Sequence, residues 1–143
     1  MRRKWISLLL AASMVLSPSY LFPGAAMALT EQDDSGYSTY ECEDGEVLGN
    51  AVVSTSFSGY TGDGSVVCGM VPVQGVTLSN VTVPEEGDYT VLIRYGQSNW
   101  SARTMYVYAN GNEADAQQVV FPKLKSWGLW DQIPVTVHLN AGE

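Results

Sequence analysis

The chain has 143 residues, with 15 acidic side chains against seven basic ones and a net charge of −8. That length admits one modest core and leaves no room for a second domain. The acidic balance, with no basic cluster to neutralise phosphates, argues against nucleic acid and anionic lipid as partners and is compatible with neutral ligands or bound cations.

In chain order, Arg2, Arg3 and Lys4 precede an apolar stretch from Trp5 to Leu16 that is too short to span a bilayer as a stable helix. Pro18, Pro23 and Gly24 break any helix beyond it, and Ala26 and Ala28 supply the small residues signal peptidase accepts. These features predict a secretory leader over residues 1–28, cleaved after Ala28, and a secreted, extracellular product with no membrane segment afterwards. An uncleaved anchor would need a longer apolar run. Cleavage removes three basic residues and no acidic one, which leaves four against fifteen and takes the net charge to −11. Residues 29–38 are acidic and polar and read as a short solvated linker ahead of a folded body over 39–143.

From Thr39 onward, short apolar runs alternate with turn residues. Val76–Val83, Asp88–Tyr95, Thr104–Ala109 and Ile133–Asn140 alternate β-branched or aromatic with polar residues and are predicted strands. Tyr89, Val91, Ile93 and Tyr95 share one face of the second, and Ile133, Val135, Val137 and Leu139 one face of the last, an expected pair of core walls. Pro84–Gly87 marks a turn, and Asn110-Gly111 suits a type I′ hairpin. Strands at such short intervals, with no helical period anywhere, predict an all-β fold, an antiparallel β-sandwich.

Catalytic chemistry has a thin inventory. His138, the only histidine, lies on a strand without an acid or nucleophile at a useful spacing and reads as structural or surface. One His and two separated Cys do not make a transition-metal site of the usual kind. Cys42 and Cys68 are an even pair in an exported chain, so either a disulfide or two buried thiols fits. Tyr40-Glu41-Cys42-Glu43-Asp44-Gly45 is predicted as the first strand, where alternation puts Glu41 and Glu43 on one face. Two like charges there suit a shared calcium ion, or two solvated acids on an edge strand. Tyr60, Trp100, Trp127 and Trp130 sit in glycine- and serine-rich loops with little core to fill. Their flat faces are candidate stacking platforms for sugar rings, or caps on the ends of the sandwich.

Several of these segments, in order, resemble the carbohydrate-binding modules of families 6 and 35. They are Tyr40–Gly45, the glycine-rich Gly49–Gly64, Val81–Pro84 through Gly87–Val91 with Arg94-Tyr95, Val107–Gly111, Trp127–Trp130 and Val135–Gly142. The resemblance implies a galactose-binding-like jelly roll without catalytic activity that holds a secreted glycoside hydrolase or polysaccharide lyase, or a cell surface, against polysaccharide. It implies a structural calcium with carboxylates from Glu41 and Glu43 and a backbone carbonyl near Asp63 and Gly64. It further implies a sugar cleft flanked by Tyr60 and Trp127, with Arg103 placed to read a uronate carboxylate. Family members run on beyond the equivalent of Ala141–Glu143 into a last strand, so the domain over 39–143 is expected to be C-terminally incomplete. Cys42 and Trp100 depart from the family pattern, and Trp100 extends the expected binding surface. The competing readings are an extracellular adhesion sandwich that meets a protein, and the targeting end of a longer enzyme.

Overall fold

The computed structural model describes the backbone of Ser13–Leu16 and residues 38–69, 74–79 and 81–142. The rest of the leader expected over 1–28, and the linker up to residue 37, lie outside the described residues. Among the described residues the fold is all-β, and its only helical turns are the 3-10 turns η1 (Cys42–Asp44) and η2 (Glu113–Asp115). No helix among them is long and apolar enough to cross a membrane.

Among the described residues ten strands follow in order. They are β1 (Ser13–Leu16), β2 (Ser38–Glu41), β3 (Glu46–Leu48), β4 (Val52–Ser54), β5 (Ser65–Val67), β6 (Gly75–Thr77), β7 (Gly87–Tyr95), β8 (Arg103–Val107), β9 (Gln117–Phe121) and β10 (Asp131–Leu139). All pairs are antiparallel: one sheet has the order β10-β7-β1-β2, and β3-β6, β4-β5 and β8-β9 form two-stranded ladders. β1, inside the expected leader, is hydrogen-bonded on both sides, to β2 and to β7.

β7 and β10 are the long strands because both alternate β-branched or aromatic residues with polar ones over nine positions. They pair along their whole length, with Val91 opposite Val135 and Ile93 opposite Ile133. The two apolar faces expected as separate walls are therefore one wall. β10 is the sheet edge, which is why Pro134, lacking an N–H, is tolerated in it. Val66, Val119 and Phe121 join Val91, Ile93, Tyr95, Val135, Val137 and Leu139 in the buried core, and the Phe121 ring meets Tyr95 edge-on at 5.1 Å between centroids. A fully buried valine such as Val66 or Val91 contributes on the order of 1.5–3 kcal/mol.

Three local expectations are corrected. The strand expected over Val76–Val83 stops at Thr77, because its partner β3 runs out at Glu46 and Gly45 turns away beneath the Thr77 carbonyl; Val81 and Val83 are buried without strand pairing. Asn110 and Gly111 adopt positive φ (53° and 64°), and the amide of Asn112 donates to Ala109 O at 2.9 Å, as a tight turn requires. The chain then passes through η2, so the link from β8 to β9 is longer than a two-residue hairpin. Glu41 ends β2 while Glu43 lies in η1, so strand alternation does not relate them. Of the two arrangements left open for Cys42 and Cys68, the structure shows the second: both are buried and are not joined in a disulfide.

Candidate functional site

Residues 57–64, between β4 and β5, form a loop gripped along its length by side chains from four other segments. At its start Phe57 stacks on Trp127, with ring centroids 4.8 Å apart and planes 28° from parallel. The indole N–H of Trp130 donates to the Ser58 carbonyl at 2.9 Å, and Arg94 Nη2 donates to the Gly59 carbonyl at 2.6 Å. The Arg94 guanidinium also lies over the Trp130 ring, 5.1 Å from its centroid, a cation–π contact. Further along, the Thr61 hydroxyl donates to Glu41 Oε2 at 3.0 Å, and the amides of Asp63 and Gly64 donate to Glu43 Oε1 at 2.8 and 3.1 Å. Gly59 is required here: its φ is +90°, and a Cβ would lie 2.7 Å from Trp130 Nε1.

Two charged groups in this grip keep unused capacity. Glu43 Oε2 and Arg94 Nη1 are buried with no hydrogen-bond partner among the described residues. The Glu41 carboxyl is held above its ordinary value, chiefly by burial; the Thr61 hydrogen bond and the Arg94 charge oppose that, and the negative charges of Glu43 and Asp44 reinforce it. Glu41 and Glu43 thus reach one loop from a strand end and a turn. An orphaned buried carboxylate oxygen is the feature a bound cation would satisfy. Asp63 enters the cluster through its main-chain amide. No three His, Cys, Asp or Glu side chains among the described residues form a metal-ligand set. The cluster therefore fits a cation through two carboxylates only.

A second loop, residues 97–101 after β7, is held differently. Gln97 is completely buried, at 0 % exposure. Its Nε2 donates to the carbonyls of Phe121 (3.0 Å) and Ser101 (3.3 Å), its Oε1 accepts from the Asn99 amide (3.1 Å), and its own carbonyl accepts from the Leu124 amide (2.8 Å). Ser98 Oγ adds a bond to the Leu124 carbonyl at 3.3 Å. Trp100 projects from this turn 98 % exposed.

Of the residues marked from sequence, Tyr60 lies on the gripped loop, and Trp127 and Trp130 lie on the segment that grips it. Tyr60 is half-buried, Trp127 is 42 % exposed, and the Trp130 N–H is engaged in fixing the loop. Trp100 joins them indirectly, because its turn is bonded to Leu124, three residues before Trp127. Arg103 is half-buried at the start of β8, opposite Phe121. His138 is elsewhere, exposed on β10, with Nδ1 2.9 Å from Asp88 and Nε2 3.4 Å from Glu86. A shallow depression of about 300 Å³ is lined by Asp44, Gly45, Glu46, Thr77 and Ser79, and by none of the aromatics.

Arg94 and Gln97 are the positioning residues that sequence reasoning missed. Arg94 left a faint signal, the one basic residue of β7; Gln97 left none.

No family model and no solved structure matches the chain. Curated relatives do. The chain is 32 % identical over 103 residues to a 1,6-alpha-glucosyltransferase of Sporosarcina globispora, a match covering 72 % of this chain and 8 % of that protein. It is 32 % identical over 115 residues to a cycloisomaltooligosaccharide glucanotransferase of Niallia circulans, covering 77 % and 11 %. It is 35 % identical over 103 residues to an exo-beta-D-glucosaminidase of Amycolatopsis orientalis, covering 72 % and 10 %. The chain spans about a tenth of the length of the curated relatives it matches.

Proposed function

We propose that this chain is a non-catalytic carbohydrate-binding module, a galactose-binding-like antiparallel sandwich of the family 6 and 35 type, that tethers a secreted enzyme or a cell surface to glycan. One observation carries the reading: Trp127 presents a partly exposed indole stacked on a loop whose backbone is fixed by the Trp130 N–H and the Arg94 guanidinium, a preorganised platform for the C–H face of a sugar. The relatives support it, since all three names describe enzymes acting on glucosyl or glucosaminyl substrates and the likeness covers only a small part of each. His138 lends no support to catalysis, because both ring nitrogens face carboxylates in open solvent. Tethering works by raising the local concentration of the attached partner near the glycan, so a weak single site suffices.

Calcium belongs to the same proposal, with Glu41 and Glu43 as its carboxylates. A bound cation would give Glu43 Oε2 a partner and offset the like charge beside Glu41. Export by the leader bears on the fold: cleavage after Ala28 withdraws β1 and leaves β2 and β7 with open edges one strand apart.

The test is affinity electrophoresis in calcium buffer against α-1,6-glucan, glucosamine polymer, xylan, mannan, β-glucan and pectin. Retardation by at least one glycan is expected, and Trp127→Ala should reduce it about tenfold or more while the chain stays folded, with only the small drop in melting temperature that loss of the Phe57 stack brings. A chain that none of these glycans retards is not this module.

A further inference from the structure

Trp100 is the most exposed large apolar side chain described, yet the turn that carries it is among the best fixed in the molecule. Burying a glutamine amide is costly unless every polar atom is satisfied, and Gln97 satisfies its own by bonding to Asn99, Ser101 and Phe121. At 98 % exposure the indole packs against none of the described residues in a way that would explain this expense as core formation.

We infer that Trp100 is a second, separate stacking site for a neutral sugar ring, so that the molecule reads a length of glycan chain rather than a single residue. This rests on the carbohydrate-binding reading above. Three features select a sugar over a protein partner. The turn Gln97-Ser98-Asn99-Trp100-Ser101-Ala102 carries no charge. Trp100 is flanked by hydroxyl and amide groups rather than by the ring of apolar contacts that surrounds a protein hot spot. A single flat apolar face bordered by small hydrogen-bonding groups matches the amphipathic surface of a pyranose. The turn's bonds to Leu124 keep Trp100 and Trp127 on adjoining loops, with Cα atoms within roughly 25 Å of each other by chain reach. That is a span a single oligosaccharide chain can bridge, and two weak contacts on one chain reinforce each other through effective concentration.

The experiment compares the full chain with Trp100→Ala and Trp127→Ala. Each is run in gels containing whichever of the six glycans retards the full chain most, and then with that glycan's own mono- and disaccharide as competitors. Trp100 is almost wholly exposed, so Trp100→Ala should melt with the unaltered chain. Polymer affinity should fall about tenfold in Trp100→Ala, while the disaccharide competes against the remaining binding at an unchanged concentration; Trp127→Ala should lose both. Polymer retardation of Trp100→Ala equal to that of the unaltered chain overturns the inference and leaves the proposed function standing. Loss of disaccharide competition in Trp100→Ala also overturns it, because Trp100 would then belong to the first site. Absence of retardation of the unaltered chain by every glycan removes both readings together.

Discussion

The adjoining loops that carry Trp130 and Trp100 look alike in sequence, each a tryptophan among small and polar residues, yet the two indoles end in opposite roles. Trp130 donates its N–H to Ser58 and lies against Arg94, so the aromatic itself is the fastener. In the other loop a glutamine fastens the backbone and the aromatic is left in solvent. A tryptophan in a polar loop is therefore no signal of a ligand platform by itself. What decides its role is whether some other side chain satisfies the backbone carbonyls nearby, because an unmet C=O will recruit the indole N–H, which can only donate, if nothing else is in reach.

The largest expected effect comes from removing the glutamine fastener. Gln97→Leu leaves the Asn99 amide and the Ser101 and Phe121 carbonyls without their partner and should lower unfolding free energy by about 3 kcal/mol, read in denaturant titration. A loss below about 1 kcal/mol would erase the contrast between the loops, since the turn would then hold without its amide.

A smaller effect separates crowding from conformation. Gly59→Ala adds a Cβ against the Trp130 indole at φ +90° and should cost about 2 kcal/mol, whereas Gly111→Ala, at φ +64° with open space around it, should cost about 1 kcal/mol. Equal losses in thermal melts would mean that the Trp130 fastener yields to the intruding methyl, and that the loop it grips is softer than the Gln97 turn.

The smallest effect lies on the solvent-exposed face of β7 and β10, where polar contacts are made in water. His138 is held above its ordinary value near 6.5, first by the hydrogen bond to Asp88 and then by that to Glu86. Below that ordinary value the ring is charged in both folded and unfolded chains and its stabilising contribution is complete. As pH rises through the folded-state value the contribution is lost. Melting temperature should therefore decline slightly over that window, and His138→Gln should flatten the decline. A profile of the same slope in the variant would assign the decline to other groups.

Much of the architecture was legible because period-two alternation follows from strand geometry alone. β7 and β10 match their predicted spans to within two residues, and Asn110-Gly111 adopts the positive φ values its chemistry favours. The pairing was less legible. Two alternating strands read the same whether they face each other across a core or lie side by side, and only the register of β7 on β10 resolves it. The candidate site shows the same division. Its aromatics and the Glu41–Glu43 pair were visible by type, but their sorting was not.

By itself the sequence determined the all-β character, the acidic surface, the long strands and the stock of loop aromatics, since each depends on composition or on spacing between neighbours. Tertiary structure alone decided that Glu41 and Glu43 meet residues 61–64, that Arg94 and Trp130 fasten Ser58 and Gly59, and that Gln97 leaves Trp100 free. Most of these contacts join residues 20 or more positions apart. At such separations no local propensity encodes the partner, and the need to satisfy every buried polar group selects it only once the strands have brought the loops together.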